Sequence, residues 1–394
     1  MPSLTVDKTS DNFLKLNDPK LLILLASGSL TTMAGGVIAP VLPDIIQQLQ
    51  LDPGLAANLV SVHCLTLALF SPLLGILADR IGRVRVLVAS LFCYALFGVA
   101  GAFMSSFIPL LITRGLIGAA SGGIAAASLG LLGSNYEGES RSLALGYATS
   151  TLTITGILFP LLGGFVGANN WQYAFYLYAL GLPLAILARV VLKGDKKPAL
   201  AKETDYKLSR ILGQPQTLWL LLTLLLVSVA MYAVVIYAPL YLKATIGAGA
   251  VLNGVVLASR AIGASVISAF GSKGVAQKLG LPKAIALGCT LMAITLILIP
   301  LLHTISPIIL TAILFGVGFG LVLPNVYSAL ANLATPNLRS SVLAAGTGAG
   351  FLGQFLSPII LRPMFNYGGL ETVFYGAAIV AVFAGVLMLL SQDG

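Results

Sequence analysis

Charge is what this chain has least of. Asp, Glu, Lys and Arg make up 9% of its 394 residues, where a soluble globular domain carries about a quarter. Histidine occurs twice (His63, His303), tryptophan twice (Trp171, Trp219) and cysteine three times (Cys64, Cys93, Cys289). Each scarcity excludes something. No H-E-x-x-H run is present, and the cysteines show no ligand spacing, so no metal site is expected. No G-x-x-x-x-G-K-[ST] phosphate loop exists, which argues against an ATP-driven pump. A membrane-embedded enzyme would need a His/Asp or His/Glu set or a paired nucleophile and base. The two histidines lie far apart and supply neither. All three cysteines fall inside apolar runs and read as small buried hydrophobes.

Apolar residues fill the space that charge leaves. They form 58% of the chain, and mean hydropathy is +0.98. A helix spans the bilayer with about 20 such residues. The sequence predicts helices near 20–48, 55–79, 84–106, 108–132, 141–167, 171–192, 215–243, 251–276, 281–302, 305–333, 339–365 and 370–391. The first 19 residues are polar, without the ordered regions of a signal peptide, and read as a cytoplasmic tail. Charge then sorts by side. One set of loops holds Arg80, Arg83, Arg85, Arg141, Arg189, the basic run of 193–210, Lys273, Lys278, Lys283 and Arg339, while the opposite loops hold only Lys243 and Arg362. Net charge is +9, and this distribution fits membrane topology rather than nucleic acid. The positive-inside rule puts both termini in the cytoplasm of a multi-pass protein of the cell (inner or plasma) membrane. Residues 193–214, the one long polar stretch inside the chain, divide it into a six-helix bundle over 20–192 and another over 215–392. Their basic residues suit orientation and contact with lipid head groups.

The two halves repeat. Asp79-Arg80-Ile81-Gly82 lies over Gln277-Lys278-Leu279-Gly280 at an ungapped offset of 198. The same offset pairs Gly118 with Gly316, Gly122 with Gly320, Arg141-Ser142 with Arg339-Ser340, and Pro160 with Pro358. A constant register over several helices argues for duplication, with a site between the halves near mid-membrane.

Residues 75–87 read Gly-Ile-Leu-Ala-Asp-Arg-Ile-Gly-Arg-Val-Arg-Val-Leu, a tight charged turn between two apolar runs. This resembles the signature loop of the major facilitator superfamily, G-x-L-a-D-R-x-G-R-x-x-x-L. The resemblance implies an all-α polytopic membrane protein with twelve transmembrane helices in two pseudo-symmetric six-helix bundles. It also implies a secondary transporter that works by alternating access as a monomer. Gly75, Asp79, Arg80, Gly82 and Arg83 would then be a gate that locks the cytoplasmic face without touching substrate. In the repeat this loop is degraded: Lys273 stands for the first glycine and Gln277 for the aspartate.

Two further stretches resemble motifs of the same superfamily. Leu110-Leu-Ile-Thr-Arg114-Gly-Leu-Ile-Gly118 is similar to l-x-x-x-R-x-x-q-G, whose arginine faces the cavity, bonds helix-one carbonyls and is linked to proton coupling; a purely structural tie is the alternative. Pro160, Gly163 and Gly164 match the antiporter motif g-x-x-x-G-P-x-x-G-G, which is associated with export, and Thr155 and Phe159 depart from it. Pro160 and Pro358 would shape bending elements.

Ionisable residues within membrane spans mark function by default. Arg260 lies midway along the eighth helix, and His63 stands at nearly the same height in the second. With Arg114 they form a basic group that no mid-membrane carboxylate neutralises. A cavity of positive potential, favouring anionic or dipolar solutes, is one reading; a snorkelling or helix-tying Arg260 is the other. His63 is either a proton site or a packing residue. In this fold the first, fourth, seventh and tenth helices line the cavity, and Tyr232, Asn325 and Tyr327 join the candidates on them. A mostly apolar pocket with few polar groups suits small amphiphilic molecules better than sugars.

These features lead to an expected exporter of small amphiphilic or drug-like compounds, coupled to a proton gradient, with no cofactor and with membrane lipids as its surroundings. An organic-anion exchanger or importer that uses Arg114 and Arg260 is the competing expectation, and a transporter-like substrate sensor is an alternative of another class.

Overall fold

The computed structural model describes residues 18–192, 205–335 and 338–390. Most of the expected tail and of the basic run at 193–204 therefore lies outside the described residues, as do Pro336 and Asn337. Among the described residues no strand forms. Hydrocarbon offers a backbone no hydrogen-bond partner, so a chain this apolar satisfies its peptide groups internally as helices.

We label the spans in chain order. They are α1 (Pro19–Leu49, with a short 3-10 turn at Ala39–Val41), α2 (Pro53–Ile81), α3 (Arg83–Phe103), α4 (Phe107–Asn135), α5 (Gly138–Val166), α6 (Trp171–Val191), α7 (Pro215–Ile246), α8 (Ala250–Phe270), α9 (Leu281–Leu301) and α10 (Ile305–Leu333). The final run, Arg339–Leu390, leaves helical geometry at Gly368 and Gly369, the latter at φ 73°. It folds back there, and Gly376 packs on Leu361 and Met364. Residues 339–367 are thus α11 and residues 370–390 are α12, which makes twelve helices of membrane-spanning length among the described residues. Local chemistry sets the ends. Asp18 and Asp52 accept backbone N–H bonds ahead of Pro19 and Pro53, a side-chain cap followed by a ring already fixed at helical φ.

Two expectations need adjustment. The eighth helix, expected to run unbroken to 276, stops at Phe270 and resumes as Ser272–Leu279 after Gly271, where glycine and then polar residues weaken the helix. Within the expected 193–214 linker, Asp205–Leu212 forms a short helix.

The duplication has a structural counterpart. Gly118 and Gly122 of α4 lie against the α2 backbone at His63 and Ser71, and Gly316 and Gly320 of α10 lie against the α8 backbone at Arg260 and Ala264. Small residues let helix backbones approach where lipid supplies no hydrophobic drive. Gly82 (φ 108°) and Gly280 (φ 84°) turn the chain at matched positions, a region that L side chains rarely enter.

Residues 18–192 and 205–390 meet chiefly through α5 against α8 and α2 against α11. Among the described residues, every hydrogen bond and ion pair that joins them lies at mid-membrane depth or toward the end opposite the Asp79 loop. These are Lys243–Asp44 (3.4 Å), Asn253 Nδ2 to the Pro40 carbonyl (3.1 Å), Tyr232 Oη to the Val60 carbonyl (3.1 Å), and Cys64 Sγ with Tyr232 Oη (3.6 Å) and Gln354 Oε1 (3.2 Å).

Candidate functional site

Four helices converge on a buried polar node. On α2, His63 and Cys64 point into the interior, α7 supplies Tyr232, α11 supplies Gln354, and Gly35 of α1 forms the floor. The Tyr232 hydroxyl donates to the Val60 carbonyl at 3.1 Å. The single Cys64 proton is shared between Gln354 Oε1 at 3.2 Å and Tyr232 Oη at 3.6 Å, and a His63 ring nitrogen lies 3.5 Å from the sulfur. A Cβ on Gly35 would stand 2.8 Å from the Tyr232 hydroxyl oxygen and 2.9 Å from His63 Cε1; only a bare backbone lets both rings seat here. Cys64 is buried, as its sequence context predicts, but it is no mere hydrophobe: its thiol bridges the two halves. Gln354 was not anticipated. It is one polar residue in an apolar run, and it matters only because α11 sits in register with α2.

Arg114 makes the bond to a helix-one carbonyl that the resemblance implies, in the manner of a structural tie. It is fully buried. Its Nε donates to the Leu59 carbonyl at 3.1 Å, Nη1 donates to Tyr178 Oη at 2.9 Å, and Nη2 donates to the Ala34 carbonyl. Its Cζ lies 5.7 Å from the Tyr178 ring centroid. Tyr178 in turn donates to Ala34. One cation thus ties α1, α2, α4 and α6, and carbonyl dipoles with an aromatic face stand in for the missing carboxylate. Asn325 is likewise turned inward, its Nδ2 on the Leu321 carbonyl of its own helix at 2.8 Å. Tyr327 is half-buried, with its hydroxyl 3.3 Å from Thr347 Oγ1 on α11.

Arg260 is different. It sits on α8, partly exposed, and its buried Nε has no hydrogen-bond partner. Among the described residues no ion pair reaches it. A buried donor left unpaired is costly, so Arg260 presents a charged, unmet demand for an acceptor.

At the far end, Arg83 Nε and Nη2 each donate to Asp79 Oδ1 at 3.0 Å, while Nη1 donates to the Gly130 carbonyl of α4 at 2.8 Å. Gly75 faces Ala126 of α4, and Arg80 is exposed. Every partner of this clasp belongs to residues 18–192.

The proline–glycine stretch of α5 forms seams on two sides. Gly163 abuts the backbone of α1 at Val37, and Gly164 abuts that of α8 at Ala250. A Cβ on Gly254 of α8 would meet the Pro160 carbonyl oxygen at 2.5 Å. Thr155 Oγ1 and Thr32 Oγ1 lie 3.0 Å apart between α5 and α1. Pro358 follows Ser357, whose hydroxyl donates to the Val229 carbonyl of α7 at 2.8 Å, so the matched proline also marks a helix seam. Among the described residues no group of three His, Cys, Asp or Glu could hold a metal ion. The arrangement offers hydrogen bonds and positive charge.

Comparison with known proteins extends these observations. The family model described as Major Facilitator Superfamily matches residues 24–358 and 254–393. A multi-drug resistance efflux pump, PmrA of Streptococcus pneumoniae, is 26% identical over 375 residues, covering 92% of this chain and 93% of that protein. A triacylglyceride transporter of Mycolicibacterium smegmatis is 29% identical over 179 residues, 43% of this chain; the chain spans about a third (31%) of that relative's length. A bacterial homologue of the human lysosomal transporter Spinster, solved in an inward-facing and unoccupied conformation, superposes with a TM-score of 0.77 at 16% identity, covering 96% of each chain.

Proposed function

The chain belongs to the Major Facilitator Superfamily of integral membrane transporters, and from that premise we propose that it exports small amphiphilic, drug-like compounds by alternating access, driven by a proton gradient. The observation that carries this reading is where the two halves touch. Among the described residues, their hydrogen bonds and ion pair stand away from the Asp79 loop, and the partners of the Asp79–Arg83 clasp lie within its own half. That is how a carrier is built when its path opens on the Asp79 side. In the opposite state the clasp would engage the second half, with Asp79 facing a helix N-terminus there.

The distribution of Lys and Arg supports a cytoplasmic Asp79 side and cytoplasmic termini in a protein of the cell membrane. Export is supported by the full-length likeness to an efflux pump and by Pro160, Gly163 and Gly164 at the seam between halves. The protein works as a monomer in contact with membrane lipids, with a small-molecule substrate, no cofactor and no nucleic acid. His63 is the group on which proton coupling would rest, since the interior of the spans holds no carboxylate.

Everted membrane vesicles test this directly. An imposed pH gradient should drive accumulation of lipophilic cationic or neutral dyes in vesicles that contain the protein, and collapsing the gradient should abolish it. Asp79→Asn should reach the membrane at normal levels yet transport poorly. Gradient-independent dye movement would refute proton coupling, and full activity in Asp79→Asn would refute the gate.

The unpaired Nε of Arg260 favours a second reading, an organic-anion exchanger or importer using Arg114 and Arg260. Of these two arginines, Arg114 has its Nε, Nη1 and Nη2 engaged, whereas the buried Nε of Arg260 has no partner among the described residues. Arg260→Gln should then shift selectivity away from anionic solutes within a panel of matched charge variants, whereas unchanged selectivity would leave Arg260 a helix tie.

A further inference from the structure

Away from the seam between halves, two apolar grooves flank α3 at the end that bears the Asp79 loop. The first, about 650 Å3, lies between α3 and α6 and is walled by Val88, Phe92, Leu182 and Ile186. The second, about 310 Å3, lies between α3, α2 and α4 and is walled by residues that include Leu74 and Phe97. Arg85 and Ala89 line both, and Arg189 stands at the first.

The charges at the mouth are unmet. Arg85 and Arg189 are exposed, and the ion pairs among the described residues are Arg83–Asp79 and Lys243–Asp44. Arg85 reaches only the Ile81 carbonyl, at 3.3 Å. Arg85 also lies in the first turn of α3, where the helix dipole already presents positive charge. Asp79 answers Arg83 there, and among the described residues no carboxylate pairs with Arg85. A cation beside exposed helix N–H groups is a favourable place for an anionic oxygen. Below it, Arg85 to Phe97 runs about 18 Å along the helix at 1.5 Å per residue, close to the roughly 15 Å depth of one leaflet's hydrocarbon. One groove about a leaflet deep, a shorter one across the helix that ends at Phe92, and two arginines without an ion pair among the described residues match a two-chain lipid with a negative head.

We propose that Arg85 and Arg189 bind the phosphate of one anionic diacyl phospholipid, of the phosphatidylglycerol class, whose two acyl chains lie on either side of α3. The site is independent of the transported compound, and it places a lipid two residues from Arg83 of the gate.

Native mass spectrometry of the full-length protein, titrated with phosphatidylglycerol, phosphatidylethanolamine and phosphatidylcholine, tests it without a transport assay. The wild type should retain one phosphatidylglycerol in preference to the zwitterionic lipids. Each arginine beside an anionic lipid favours binding about fivefold, so the Arg85→Gln/Arg189→Gln double variant should lose that preference roughly thirtyfold. Ala89→Trp keeps both charges and fills the grooves, and it should weaken retention as well. Equal retention of all three lipids by the wild type, or an undiminished preference in the double variant, would overturn the proposal. Full retention by Ala89→Trp would overturn the groove-bound placement of the chains.

Discussion

Gly164→Leu should abolish transport while leaving the protein in the membrane. Gly164 of α5 lies against the Ala250 carbonyl of α8, and its Cβ would also stand 3.3 Å from Gly254 Cα. Those neighbours are backbone, so no rotamer change relieves the overlap. Overpacking of this kind costs about 1–3 kcal/mol. Here the cost falls only on the state in which α5 and α8 meet, since the seam joins the two halves and neither half needs it to fold. A bias of that size changes the ratio of closed to open forms about 5- to 150-fold. An impermeant maleimide checks the mechanism. A cysteine introduced at buried Asn253, which bonds Pro40 across the same seam, should label slowly in the parent and rapidly in Gly164→Leu. Slow labelling together with lost transport would mean that the leucine acts elsewhere. Gly254→Leu, against the Pro160 carbonyl, should reproduce the phenotype from the other side.

The second large effect concerns stability. Arg114→Gln removes a buried cation that makes three charge-assisted hydrogen bonds and takes a donor from the Leu59 carbonyl and from the Ala34 carbonyl, which keeps its bond from Tyr178. Such bonds contribute about 1.5–3 kcal/mol each, and partial repair by glutamine leaves a net loss of about 3–5 kcal/mol. Thermal unfolding in detergent should show a fall of about 5 °C or more. Arg114→Lys should rescue little, because one ammonium cannot span acceptors on α1, α2 and α6 with a planar fork. A glutamine variant as stable as the parent would remove Arg114 from its structural role and return it to the solute path.

Much of this architecture was readable from residue types. Gly82 and its counterpart Gly280 mark turns because a positive φ is a demand of the backbone itself, independent of neighbours. Asp18-Pro19 and Asp52-Pro53 announce helix starts for the same local reason. The charge of Arg114 in an apolar run announces a constraint. What sequence could not reveal is which helix faces which. In soluble proteins a polar face orients a helix, but α7 and α11 are apolar all round, so their rotation is fixed only by packing. That is why Gln354, an isolated amide on α11, gave no sign of its contact with Cys64, and why Gly164 read as part of a bending motif rather than as the contact surface for α8. Cys64 was misjudged for a related reason: burial was legible, but the partners were not.

Arg114 and Arg260 carry fixed positive charge inside the hydrocarbon slab, with no acid there to cancel it. An electric field across the membrane therefore acts on the helices that hold them. Moving one elementary charge through the full potential involves about 2.3 kcal/mol per 100 mV. When the halves rock, even a fractional displacement of these arginines along the membrane normal does electrical work. On the proposed alternating-access mechanism, the balance between the two orientations would then depend on membrane voltage, whatever compound is moved.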